Sequence, residues 1–492
     1  MKPINLLFLF TDEQRADTLG AYGNRQIQTP NLNRLADQSV VFERAYVTQP
    51  VCTPARSSIL TGLWPHTSGC TENNAPLPAE TPCLPEMLPP GRYAAGYFGK
   101  WHLGDEIFPQ HGFGEWRSIE DGYRTYYAAG RDRSARSTYH HFLVDSGFAP
   151  ADGDAFRRGQ VARLPEEFSK PAYLGWEASR FLREHRDQPF VLFVNFLEPH
   201  MPFFGPRDEQ YDPAGIPLPM DFENPPAADQ HPKLRLFREH YRRAGCGGSA
   251  PLDTEEAWRR LIARYWGLCS QVDTHVGTIL ATLEECGLDQ NTVVVYTSDH
   301  GDMMGSHQLA AKCVMFEPAV RVPLLMRLPG QTEGRRVSGP VSQIDLPATL
   351  LDLLGCDAPD GQQGRSFRRL LEGARDGPDH DVFIEWNGPN CGLAADVVGK
   401  VELPEHLAGH GTVAEAAAAI QDPVRAIVTR DGWKLCCSPL GHHELYHLRD
   451  DPLETTNLAR RDEHRPRMAE LADRIRAWQH RTGDTVELPA SL

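Results

Sequence analysis

No apolar run in the 492 residues approaches the ~18 to 20 needed to cross a bilayer, which excludes a helical membrane span and any membrane partner of that kind. Positive charge is in deficit as well. Lys and Arg number 50 against 66 Asp and Glu, a formal charge of -16, so nucleic acid would be repelled over most of the surface and is not expected as a partner. The eleven cysteines are odd in number and irregular in spacing, which implies no disulfide framework. The vicinal pair Cys436-Cys437 is expected as free, buried thiols. A repeat array is excluded, because no segment recurs. The opening apolar run, Ile4 to Phe10, is short and leads into Thr11-Asp12-Glu13-Gln14-Arg15 with no small-residue cleavage site, so it reads as a buried strand rather than a signal segment. A cytoplasmic protein is the expectation.

What is present has the balance of a globular chain, with 40% hydrophobic and 24% charged residues, and a length that favours two unequal parts, 1–370 and 371–492. Ile4 to Phe10, Ala94 to Phe98, Phe190 to Phe196 and Thr292 to Thr297 read as strands buried on both faces, with helical patterns between them such as Glu255 to Cys286. That alternation predicts an α/β fold with a mostly parallel central sheet flanked by helices. Segments 121–170 and 205–249 show little apolar periodicity and read as surface insertions that shape access to a site. Beyond about Gly361 the pattern changes. Strands at Asp381 to Glu385, Ala426 to Thr429 and Leu435 to Pro439, a short helix at Ala414 to Ile420 and a terminal amphipathic helix from Arg467 to His480 predict a smaller α+β subdomain with an antiparallel sheet.

In parallel sheets, ligands bind beyond the carboxyl ends of the strands. Here those ends deliver Asp12 and Glu13, Lys100 and His102, His200, and Asp299 and His300, so one polar site is expected. An anionic substrate of a negatively charged protein needs a local positive pocket, for which Arg56, Lys100 and Lys312 are candidates. Asp12, Glu13, Asp299 and His300 together suit a hard cation such as Ca²⁺ or Mg²⁺, with Mn²⁺ allowed by the imidazole. The plain alternative is that Asp12 caps a helix and Asp299-His300 belongs to a turn before Gly301. His140-His141 and His442-His443 read as loop surface.

Cys52-Thr53-Pro54-Ala55-Arg56, continuing into Leu60-Thr61-Gly62, resembles the signature of type I, formylglycine-dependent sulfatases of the alkaline phosphatase superfamily. Gly99-Lys100-Trp101-His102-Leu103-Gly104, Glu198-Pro199-His200, Ser298-Asp299-His300-Gly301, Lys312 and Glu444-Leu445-Tyr446-His447-Leu448 follow in that family's order, so the resemblance covers most of the chain. It implies an alkaline-phosphatase-like fold and a sulfuric ester hydrolase acting on a small sulfate ester. Cys52 would be oxidised by a formylglycine-generating enzyme, and the hydrated aldehyde would attack sulfur. A divalent cation, usually calcium, would be held by Asp12, Glu13, Asp299 and His300. Lys100 and Lys312 would neutralise the sulfate, His102 would act as base, and His200 with Lys312 would assist the leaving oxygen. Arg56 would orient the residue-52 hydroxyls, and Asn73 or its neighbour Asn74 would line the substrate pocket. Glu13 departs from the family's usual Asp or Gln, which leaves open whether Glu13 or Gln14 faces the metal. Two rivals remain: a formylglycine-dependent phosphonate monoester or phosphodiester hydrolase, against which the Lys100 and His102 pair argues, and an inactive relative that binds sulfated ligands. The alcohol, whether sugar, aryl or choline, is not legible. A homo-oligomer built through the C-terminal region is an open expectation.

Overall fold

The structure is a computed structural model that describes residues 3–374, 381–388 and 391–490. Of the amino-terminal stretch, Met1 and Lys2 lie outside the described residues. Strand β1 (Asn5–Asp12) is buried along its whole length, as an uninterrupted apolar run requires when a sheet is covered on both faces. It lies between β5 (Phe190–Pro199) and β6 (Thr292–Ser298) and runs parallel to both, with Phe8 opposite Phe193 and Val295. Outside β5 come β3 (Ala94–Gly99) and then β4 (Glu115–Ser118), both parallel. Beyond β6 the direction changes: β8 (Leu324–Arg327) pairs antiparallel with β6 and with β2 (Val40–Tyr46). β2 also takes the short β7 (Arg321–Val322) antiparallel and β9 (Arg335–Ser342) parallel. The expected mostly parallel central sheet is therefore present, with antiparallel pairing confined to β7 and β8.

Side chains alternate across the sheet, and so do the two cores. Leu7 and Leu9 face the helices Lys170–Glu184 and Glu255–Glu285, packing with Leu174, Phe181, Val276 and Leu280. Leu6, Phe8 and Phe10 face the other way, toward Ile59 and Leu60 of the Cys52–Thr61 helix and toward the second sheet. That sheet is antiparallel, in the order β10 (Val382–Glu385), β11 (Arg425–Val428), β12 (Trp433–Cys437) and β13 (Glu444–His447). The terminal helix, Arg465–Thr482, lays Met468, Leu471, Ile475 and Trp478 over it. Cys436 and Cys437 are free and buried, as expected, on opposite faces of β12. No helix among the described residues is long and apolar enough to cross a membrane.

Segments 121–170 and 205–249, expected as surface insertions, carry regular structure of their own: the first contains a helix at Thr138–Asp145, capped by Ser137, and the second a helix at Pro232–Ala244. The latter buries Leu234, Leu236 and Phe237, a stripe obscured in the sequence by the Lys and Arg residues between them. His140 is accordingly not loop surface; it is buried on the first of these helices, against Phe156 and 3.6 Å from Asp121, whereas His141 is exposed.

Candidate active site

The site assembles at the carboxyl rim of β1, β3, β5 and β6. β1 ends in Asp12, and the chain then turns sharply, with Glu13 in the left-handed region at φ 70°. For a non-glycine residue this conformation is costly and has to be held in place. Two bonds hold it: the Glu13 amide donates to Asp299 Oδ1 at 3.1 Å, and Tyr265 donates its hydroxyl to the Glu13 carbonyl at 2.5 Å. The same turn swings Gln14 away. Its Oε1 accepts from Tyr296 at 2.5 Å and its Nε2 donates to Thr18 at 3.1 Å, so Glu13 is the residue that faces the site.

Cys52 is the first residue of the helix Cys52–Thr61, every position of which is buried. Its thiol lies 3.6 Å from Asp12 Oδ1 and 3.2 Å from His300 Nε2. Arg56, one turn on, reaches past residue 52: Nη2 donates to Asp12 Oδ2 at 2.7 Å, Nε to Asp299 Oδ2 at 2.9 Å, and Nη1 to the Lys100 carbonyl and Asn195 Oδ1 at 2.7 Å each. With four of its donors so engaged, the guanidinium clamps two carboxylates beside residue 52.

Lys100 follows Gly99, whose φ of 122° and 1.9 Å approach of a virtual Cβ to the Asn195 carbonyl leave room only for glycine. Lys100 Nζ donates to Asp12 Oδ2 at 2.5 Å. His102 is also left-handed, at φ 59°, and the buried Glu106 carboxylate fastens this loop by accepting the amides of Trp101 and His102 at 2.8 and 2.6 Å. His102 Nε2 lies 3.0 Å from Asn74 Oδ1, while Nδ1 is buried with no hydrogen-bond partner. Asn73 sits beside it and accepts the Thr53 amide at the start of the helix. From the end of β5, His200 donates Nδ1–H to the Met201 carbonyl at 2.9 Å and turns Nε2 toward Glu13 Oε2, 3.5 Å away. Lys312, on the loop after β6, donates to that same Oε2 at 2.7 Å. Of the side chains singled out in the sequence for this site, Gln14 turns away and the others are drawn together around residue 52.

Burial sets the electrostatics. It drives the Asp12 carboxyl upward, but the cations around it, Lys100 above all with Arg56 and His300, outweigh it and hold the group well below its ordinary value. Glu13 goes the other way: burial, with Lys312 opposing and Asp302 reinforcing, pushes it up to about 8. Burial and Lys100 lower His102, and burial and Lys312 lower His200, so both imidazoles are neutral at neutral pH. His300 is raised to about 9, burial being overcome by Asp299 and Cys52.

These residues fit a divalent cation. One donor atom from each of Asp12, Cys52, Asp299 and His300 lies within 4.8 Å of the others, and Asp12, Glu13 and His200 form an overlapping group. Glu13 Oε1 is buried with no hydrogen-bond partner. His300 directs its Nδ1 proton to the Gly301 carbonyl at 2.9 Å, which leaves Nε2 toward the carboxylates as a ligand requires. A cation would also replace the protons that Glu13 and His300 otherwise hold.

Residues 4–356 match the family described as Sulfatase. The chain belongs to the sulfatase family. A sulfatase of Escherichia coli, YidJ, is 30% identical over 93% of this chain and 83% of its own length. The arylsulfatase of Clostridium perfringens is 27% identical over 95% of this chain and 92% of its own. Among solved structures, the phosphonate monoester hydrolase of Agrobacterium radiobacter superposes with a TM-score of 0.75 at 25% identity, covering 97% of this chain and 96% of that one. Within this sulfatase-family site, sequence reading overlooked Glu106, Asn195 and Tyr265. Asn195 had a signal, as the one polar residue inside the apolar run Phe190 to Phe196; Glu106 and Tyr265 act through backbone groups and had none.

Proposed function

We propose that this protein is a sulfuric ester hydrolase that cleaves a sulfate monoester, with residue 52 as nucleophile after conversion of Cys52 to formylglycine. The observation that carries this reading is the position of Cys52: it opens a buried helix beside Asp12 and His300, with Lys100, Lys312 and two neutral imidazoles drawn from separate loops around it. A hydrated aldehyde there supplies two hydroxyls, one to attack sulfur and a second to release the sulfate, which a serine would lack. Maturation calls for a formylglycine-generating enzyme. Asp12, Glu13, Asp299 and His300 would hold the metal, Ca²⁺ by preference and Mg²⁺ or Mn²⁺ otherwise, and when bound it polarises the sulfate oxygens.

The remaining roles follow from the geometry of the chain. Lys100 and Lys312 bring two charged ammonium groups to an anionic substrate. His102, neutral and donating Nε2–H to Asn74, keeps the Nδ1 lone pair to take a proton from residue 52. His200 has its one proton on Nδ1, directed at Met201, so Lys312 is the better proton donor to the leaving oxygen and His200 positions it. Arg56 holds Asp12 and Asp299 in place as metal ligands.

The likeness to a phosphonate monoester hydrolase supports a second reading, hydrolysis of phosphonate monoesters or phosphodiesters. Two measurements decide. Peptide mass spectrometry after expression with the maturing enzyme is expected to show formylglycine at residue 52, and an aryl sulfate is expected to turn over faster than the matching aryl phosphonate. A strong phosphonate preference would overturn the sulfatase reading.

A further inference from the structure

A second group of metal-ligating side chains lies outside the reactive centre. Cys83 opens the short turn Leu84–Met87, and Glu86, on that turn, accepts the Cys83 amide on Oε2 at 2.9 Å. His111 comes from a separate loop, held left-handed at φ 51°, with its ring stacked on Trp101 at 5.8 Å between centroids. Only 4% of the His111 side chain is exposed, and Nδ1, 3.5 Å from Glu86 Oε2, has no hydrogen-bond partner. One donor atom from each of the three residues lies within 4.8 Å of the others. A buried imidazole nitrogen without a partner is uncommon in folded proteins and asks for a ligand. None of the three residues belongs to the group around Asp12.

We propose that Cys83, Glu86 and His111 form a second metal site, one that binds Zn²⁺. Thiolate, imidazole and carboxylate are the donors this borderline-soft ion prefers, and three protein ligands leave a fourth position for water. Thiolate and carboxylate neutralise the ion, so no net charge is buried. The Cys83 thiol gives up its proton as the sulfur–zinc bond forms, so zinc uptake releases one proton to solvent. Burial and the neighbouring Glu86 otherwise keep that thiol protonated. Entry is from the Glu86 side, where 35% of the side chain is open to solvent. The ion would tie the 83–87 turn to the loop that carries His111 and, through the stacked Trp101, brace the backbone between Lys100 and His102.

Cobalt and zinc titrations of the full-length protein test this. Co²⁺ is expected to give a thiolate-to-cobalt charge-transfer band that persists in C52S and disappears in C83S, while E86Q, altered only on the exposed side, binds Co²⁺ and Zn²⁺ at least about tenfold more weakly. X-ray absorption of the zinc-loaded C52S protein is expected to show one sulfur at about 2.3 Å beside nitrogen and oxygen at about 2.0 Å. A band that survives in C83S, a band lost in C52S, or no thiolate band in the unaltered protein would each overturn the proposal.

Discussion

At the scale of single residues, lysine usage is the most telling feature. The chain has seven lysines, and five of them, Lys100, Lys170, Lys233, Lys312 and Lys434, are buried. Surface cation duty falls to arginine, so a buried lysine here marks a place where a compact ammonium is wanted. An amine-reactive ester applied to the native protein is expected to modify the exposed Lys400 and spare those five, as read by peptide mass spectrometry; labelling of Lys100 or Lys312 in folded protein would contradict the structure. Glu106 is the residue whose importance the sequence hid. Glu106→Ala would strand two buried amides, costing about 2 to 5 kcal/mol by urea unfolding, and would loosen His102 enough to lower kcat about tenfold or more with a smaller change in KM. The ionisable residues of the site were legible because strand ends concentrate them. The groups that hold them still were not, because their partners are backbone atoms that no pattern of side chains reveals.

Among the elements, β1, β3, β5 and β6 were legible as apolar runs, whereas β2, β4, β8 and β9 were not. Partly buried residues interrupt β2, β4 and β9, so these strands lack a continuous run, and β8 is too short to stand out. The helix at Pro232–Ala244 was hidden for a related reason, its apolar stripe diluted by arginines. Gly99→Ala tests how tightly the rim is built. A methyl group there meets the Asn195 carbonyl in a conformation alanine avoids, so a loss of about 3 kcal/mol or more is expected in denaturant unfolding, along with displacement of Lys100. Segment 121–170 is pinned by Glu120, which pairs with Arg158 and Lys170. Burial raises this carboxyl, but the two cations outweigh it and bring it from the ordinary 4.5 down to about 2. A depressed carboxylate stabilises the fold above its unfolded value and loses that contribution as pH falls, so the stability gap between the unaltered protein and Glu120→Gln, about 3 kcal/mol at neutral pH, is expected to shrink between pH 4.5 and 2. A gap that stays constant across that range would refute it.

For the whole molecule, the two sheets share one apolar core: Phe8 and Phe10 of the first belong to the same cluster as Val382, Ile384 and Val428 of the second. A buried ion pair and an aromatic contact reinforce the join, with Lys434 of β12 pairing with Glu317 at 3.1 Å and Trp64 meeting Trp478 edge-on at 5.0 Å. Calorimetry is therefore expected to show one unfolding transition, and a chain ending at residue 374 is expected to lack near-UV dichroism; two separate transitions would show that the sheets fold independently. The burial of the Cys52–Thr61 helix also has a consequence in time. Any enzyme that modifies residue 52 must reach it before β5 and β6 close over β1, and those strands lie far downstream on the messenger. On the order of 250 further residues must leave the ribosome before β6 is complete, which at about 5 to 20 residues per second gives roughly 12 to 50 s. Translation speed over that stretch, rather than any property of the finished fold, would set how much of the protein emerges with residue 52 altered.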